Sequence, residues 1–244
     1  MLGKSIYLKY SYAFKILSIP VLFSLFLVSW FYFIQNGEPI LIHNLPSLFS
    51  FNTTLITIEN SLYRTFTHIS FSHMFSNITS FLFYSFILTT IHKTKYYVTQ
   101  VIISILSSMV IIIIQYPSVV GFSIATSCLS AISIITFSYV SYEWHIKSEY
   151  EKRKSTIILY SISLIYMSRQ LIMDISFITG IYTIDNIGYL GLFINEVPKN
   201  YTLVSAEVHL FGFISGCLIG FTMIIFHRLS DKDIYRNYFS SFIG

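Results

Sequence analysis

The sequence is short of charge. Lys, Arg, Asp and Glu make up 11% of its 244 residues, against about 25% in an ordinary soluble domain. Water alone cannot solvate a surface so poor in charge. A soluble globular protein is therefore excluded, and a bilayer is the solvent the composition asks for. Cysteine is scarce as well. Cys128 and Cys217 both fall inside apolar runs, so they read as small packing residues and not as a disulfide framework. The net charge is only +4, and its carriers cluster at the ends of apolar stretches, which leaves no basic patch for nucleic acid. Internal repeats and low-complexity tracts are missing too, and the length suits one compact domain without a large soluble module beside it.

What the chain has is apolar length. Apolar residues reach 54%, and a spanning helix needs roughly 20 of them in a run. Six stretches qualify: Ala13–Ile34, Ser70–Ile91, Tyr97–Ile114, Ser123–Tyr142, Ser155–Ile172 and Val204–Phe226. The first follows Lys4, Lys9 and Lys15, but it is long for a signal peptide and lacks a small-residue cleavage site, so it reads as an uncleaved anchor. The cations sort by side. Lys93 and Lys95 follow the second stretch, Lys147, Lys152, Arg153 and Lys154 the fourth, and Arg228, Lys232 and Arg236 the sixth. The intervening loops hold only Arg64 and Lys199, so the positive-inside rule puts both termini in the cytoplasm.

The expectation is an all-α membrane protein of six transmembrane helices, with a cytoplasmic tail 1–12, a membrane domain 13–227 and a cytoplasmic tail 228–244. The sequons at Asn52 and Asn200 both fall on the outer side. Trp30, Tyr32 and Tyr201 sit near span ends, as an interfacial belt requires. The connection from about 173 to 203 carries Gly180, Gly188, Gly191 and Pro198, and loops of that length are often functional.

With both termini inside, spans two, four and six begin at the outer surface, and the out-of-place polar residues lie near those beginnings. Span two carries His68, His73 and Asn77, span four opens with Gly121-Phe122-Ser123, and span six carries His209, Gly212 and Gly216. Ionisable groups in a membrane are costly and face a bundle interior or a water cavity. A serine becomes a nucleophile only when a base takes its proton, and an imidazole that titrates near neutrality suits that task. At 1.5 Å per residue His209 lies about 7 Å below the outer end of its helix. His73 and Asn77, four apart, share one helical face, and both can donate to a developing oxyanion. Ser123 at a helix start adds backbone N–H groups and a favourable dipole. Gly212, Gly216 and Gly220 form two GxxxG steps, and Ser123, Ser127 and Ala131 are the small stripe expected to pack into them.

Each of these residues also has an ordinary structural role. Serine is a common packing residue in membrane helices, and Ser127 is a rival nucleophile one turn deeper that lacks the preceding glycine. His209 fits a buried imidazole bonded to a carbonyl. His73 and Asn77 fit an interhelical hydrogen-bond pair, and His68 fits a residue that shapes the helix entrance. Arg169 and Asp174 read as snorkelling or locally paired, without a catalytic role. The block 143–154 reads as a solvated cytoplasmic loop weakly attracted to anionic lipid.

Taken in order, His-x4-His-x3-Asn (His68, His73, Asn77), Gly-x-Ser (Gly121, Ser123) and His-x2-Gly-x3-Gly (His209, Gly212, Gly216) resemble the rhomboid family of intramembrane serine proteases. Arg64 matches an arginine common before span two of that family, and the similarity covers roughly residues 13–227. The resemblance implies a six-helix rhomboid-like bundle in the cell membrane, with an active site opening to the outer face and needing no cofactor or metal. It implies a Ser–His dyad without an aspartate. Ser123 would be the nucleophile, His209 the base, and His73 and Asn77 the oxyanion donors, with Gly121, Gly212 and Gly216 packing helices around the dyad. Substrates would be single-pass transmembrane proteins, and the connection before span six would act as a cap or gate.

The chain departs from the family pattern at Ile124, where the family has glycine, and at Ser127, where an aromatic residue is usual. The segment between Arg64 and the histidines is also short. The alternative is an inactive rhomboid-like protein that binds or chaperones membrane helices, a reading that Ile124 favours. A metal transporter using His68, His73 and His209 ranks behind, since no acidic residue is expected mid-membrane beside those histidines.

Overall fold

Long apolar runs with few helix breakers fold as helices because only then is every backbone polar group bonded without water. The computed structural model describes residues 18–34, 58–68, 70–114, 122–147 and 203–230, together with separate positions between 161 and 179. Among the described residues every element longer than one residue is helical. In chain order these are α1 (Ser18–Ile34), whose last turn Trp30–Ile34 is π-helical, α2 (Ile58–Phe66), α3 (Phe71–Ile91), α4 (Thr94–Ile114), α5 (Ser123–Lys147) and α6 (Leu203–Ser230). Among the described residues three helices are long and apolar enough to cross a membrane: α4, residues Ser123–Tyr142 of α5, and Ala206–Phe226 of α6. α3 has the same 21 residues as α4 but a more polar first half. Most of the expected fifth span and of the 173–203 connection, Gly121, Arg169, the tail 1–12 and residues 231–244 lie outside the described residues.

The distribution of side chains is inverted relative to a soluble protein. Ile102, Leu106 and Val110 of α4 and Leu218, Phe221 and Ile225 of α6 are exposed, while Gln100, Ser104, Ser108, Ser130, Ser133 and Thr136 are buried. The short helix α2, which occupies part of the expected loop before span two, follows the same logic. Ser61, Arg64 and Thr65 face inward and Ile58 and Leu62 outward. A molecule built this way is arranged for apolar surroundings. Several buried hydroxyls are bonded within the protein: Ser133 and Thr136 donate back to the carbonyls of Leu129 and Ile132, each at 2.7 Å, and the Tyr97 hydroxyl donates to Ser85 Oγ at 2.9 Å between α4 and α3.

α5 is the central helix. Of its spanning residues 72% are buried, against 39% in α4 and 22% in α6. Small residues make this possible, because Ser123, Ala125, Ser127, Cys128, Ser130, Ala131 and Ser133, all buried, let neighbours approach from several sides. α3, α4 and α6 all pack on it, α6 most extensively. Its first turn is anchored by Phe122, which is fully buried and whose ring centroid lies 5.3 Å from Phe23 of α1, 5.6 Å from Phe81 of α3 and 6.0 Å from Phe66 of α2.

The α5–α6 seam runs over glycine. A Cβ added to Gly212 would lie 2.6 Å from the Ile124 carbonyl oxygen, one on Gly216 would collide with the Cys128 carbonyl, and one on Gly220 would lie 3.1 Å from Ile135 Cβ. The stripe facing the glycines is therefore Ile124, Cys128, Ala131 and Ile135, and the expected stripe of Ser123, Ser127 and Ala131 is corrected. In a GxxxG groove the partner contributes backbone carbonyls as well as side chains. A branched residue can therefore occupy the seam if its side chain has somewhere to go, and Ile124 packs against Ile112 and Val208. Ser123 sits one residue, about 100°, round the helix from that seam.

Gly216→Ala forces a methyl into the Cys128 carbonyl and is expected to destabilise the protein by about 1–3 kcal/mol, seen as a lowered melting temperature in detergent. Gly220→Ala meets only the Ile135 side chain and is expected to cost less. Equal effects of the two substitutions would contradict this seam.

Candidate active site

The site begins with a helix cap. Ser70, in extended conformation, accepts the His73 N–H at 3.2 Å with its hydroxyl, the usual way a serine satisfies the free donors of a first turn. The cap fixes His73 in that turn, and Asn77 follows on the same face. The Asn77 amide nitrogen lies 3.3 Å from His73 Nε2, so the ring accepts there and a neutral imidazole carries its proton on Nδ1. That Nδ1 is buried and meets no hydrogen-bond partner among the described residues. His68 stands just ahead of the helix with its ring edge-on to His73, centroids 5.5 Å apart.

Ser123 is the first residue of α5 and only 8% exposed. Phe122 below it is held in the aromatic cluster, the Thr126 N–H bonds the Phe122 carbonyl at 3.0 Å, and Thr126 Oγ1 donates to the Ser123 carbonyl at 2.8 Å. The first turn is thereby fixed, and its leading N–H groups have no acceptor within their own helix. They carry the positive end of the helix dipole to the position of Ser123.

The register of α5 on α6 relates the serine to the histidine. Because Gly212 sits against Ile124 and Gly216 against Cys128, the two helices run in the same direction. Ser123 is then within about 3 Å of the height of His209 along the bundle axis, and Ser127 about 9 Å from it. Ser123 Oγ and His209 make no hydrogen bond to each other. On the α3 side, His73 lies in the neighbourhood of His209.

His209 is instead held by a residue the sequence reading set aside. Its Nδ1 lies 3.3 Å from Asp174 Oδ1, with the imidazole 12% and the carboxylate 2% exposed. Asp174, expected to be snorkelling or locally paired, is thus paired with His209 on another helix, and a carboxylate does lie beside one of these histidines. The reason is periodicity. Leu164, Ser168 and Leu171 are half-buried and Asp174 is buried at the same three- and four-residue spacing, while Ile165, Ile172, Ile175 and Ile178 are exposed. Asp174 therefore ends the inward face of its helical segment, where a charge needs a partner. That spacing, together with its place at the expected outer end of a span like His209, was the signal available in the sequence.

Among the described residues no group of three or more His, Cys, Asp or Glu side chains is arranged to hold a metal ion. Gly212 and Gly216 line the α5–α6 seam, whereas Gly121 lies outside the described residues. Comparison with known proteins gives no matching family model, no matching curated protein and no matching solved structure. The functional reading accordingly stands on this chain's own residues.

Removing the cap by Ser70→Ala is expected to cost about 1 kcal/mol and to speed hydrogen exchange at the His73 amide. Ser70→Asp, which keeps an acceptor, is expected to retain protection. Unchanged exchange in the alanine variant would mean that the cap does not fix His73.

Proposed function

We propose that the chain is an intramembrane serine endopeptidase with a rhomboid-like six-span architecture, both termini cytoplasmic and the site open to the outer face of the cell membrane. The reading is carried by the α5–α6 register, in which Ser123 is the serine level with His209 and Ser127 is not. In this mechanism Ser123 Oγ attacks the scissile carbonyl carbon while its proton passes to His209 Nε2. The resulting oxyanion accepts hydrogen bonds from His73 Nδ1–H, the Asn77 amide and the Ser123 backbone N–H. Collapse expels the amine, which takes the proton from His209, and water then hydrolyses the acyl-enzyme by the same route. The substrates are single-pass transmembrane proteins whose spanning segments reach the site from the bilayer, and no cofactor enters the chemistry.

Ile124, the departure that most favoured an inactive protein, turns its side chain into the α5–α6 seam against Ile112 and Val208, which supports the enzyme. The second reading, a rhomboid-like protein that binds or chaperones membrane helices without cutting them, is favoured by the missing Ser123–His209 hydrogen bond. Catalytic hydrogen bonds often form only in the substrate complex, so the enzyme remains the better account.

A fluorophosphonate probe on purified protein, together with cleavage of a model transmembrane substrate, decides between the two. Wild type is expected to give both signals, and Ser123→Ala or His209→Ala to abolish both. Labelling lost in Ser127→Ala but kept in Ser123→Ala would identify the other serine, and an unreactive wild type would favour the helix-binding reading. His73→Ala or Asn77→Ala is expected to slow cleavage by roughly 10²–10³ while the melting temperature changes little. A large fall in melting temperature with unchanged turnover would instead make the pair structural.

A further inference from the structure

The family resemblance implies a dyad, yet the structure supplies a third group. We infer that Asp174 is a positioning residue for His209: its carboxylate accepts the Nδ1–H bond and so leaves Nε2 as the acceptor for the Ser123 proton. The role assigned to Nε2 rests on the endopeptidase reading. The tautomer assignment does not.

The geometry leaves little choice. An ionised carboxylate only accepts, so a neutral imidazole with Nδ1 at 3.3 Å from Asp174 Oδ1 must carry its proton on Nδ1. The other tautomer would face a lone pair with a lone pair at that distance. Both groups are largely removed from water, Asp174 to 2% exposure and His209 to 12%. Competition from solvent is weak, and the interaction is stronger than it would be at a surface. The bond also joins two segments 35 residues apart, tying the end of the 161–179 segment to the first turns of α6. During turnover only the serine proton moves, from Oγ to Nε2. The imidazolium so formed stands beside the Asp174 carboxylate, which stabilises the cation without taking a proton. His73, the other ionisable ring near His209, offers no such stabilisation because its charge would have the same sign.

Long-range proton–nitrogen spectra of full-length protein labelled with ¹⁵N-histidine read the tautomer directly, with the His209 signal identified by its loss in His209→Ala. Wild type is expected to show the Nδ1–H form. In Asp174→Asn the side-chain amide can donate to Nδ1 and stabilise the Nε2–H form, which cannot take the serine proton. Probe labelling is then expected to fall by roughly 10²–10⁴ at a nearly unchanged melting temperature, and Asp174→Glu to recover part of it. An unchanged His209 tautomer in Asp174→Asn, or labelling at the wild-type rate, overturns the inference. A fall in labelling matched by a fall in melting temperature, with the tautomer intact, reduces Asp174 to a structural tie and also overturns it. If wild type never labels, the endopeptidase reading fails by itself, and the tautomer spectra still decide whether Asp174 sets the proton on His209.

Discussion

Everything in this molecule that bears on function depends on how closely α5 and α6 approach. Glycine at 212, 216 and 220 removes the side chains that would hold the helices apart, so the carbonyls of Ile124 and Cys128 lie where methyl groups would otherwise be. In lipid there is little hydrophobic force between helices, and such contacts rest on dispersion and fit. The same approach sets the register, and the register decides which serine is level with His209. A slip of one turn would exchange Ser123 for Ser127.

Around that seam the protein concentrates groups that a bilayer tolerates poorly. His68, Asn77, Ser123 and Asp174 are all buried, and His73 and His209 are partly so. Two pairings make the arrangement tolerable: Asn77 with His73, and Asp174 with His209. In the first, His73 keeps a buried Nδ1–H; in the second, the Asp174 carboxylate holds the Nδ1 side of the His209 ring. A donor and an acceptor on opposite sides of a helix start are the elements that acyl transfer requires, which is why the proposed protease accounts for more of the observations than a helix-binding protein does.

Much of this was legible in the linear sequence, though unevenly. Low charge, apolar runs and the siting of lysine and arginine indicated membrane helices, and the helices from Phe71, Thr94, Ser123 and Leu203 begin within a few residues of the expected starts. The motif residues His73, Asn77, Ser123 and His209 were visible because an ionisable or nucleophilic group stands out against leucine and phenylalanine. The separate helix α2 was not, because its inward face is Ser61, Arg64 and Thr65, a polar pattern that in a soluble protein would mark the outer face.

Sequence by itself determined the solvent, the helices and the residue types available for chemistry, since these follow from local composition and spacing. Only the tertiary structure decided which faces meet. Ser123, Ser127 and Ala131 have the spacing of a packing stripe, but the seam lies one residue round the helix on Ile124 and Cys128 because backbone carbonyls, absent from any sequence pattern, complete the contact. Asp174 and His209 are 35 residues apart, and no local rule couples them. Their hydrogen bond arises because two helical segments end at the same depth with their inward faces opposed, where a buried charge requires a partner.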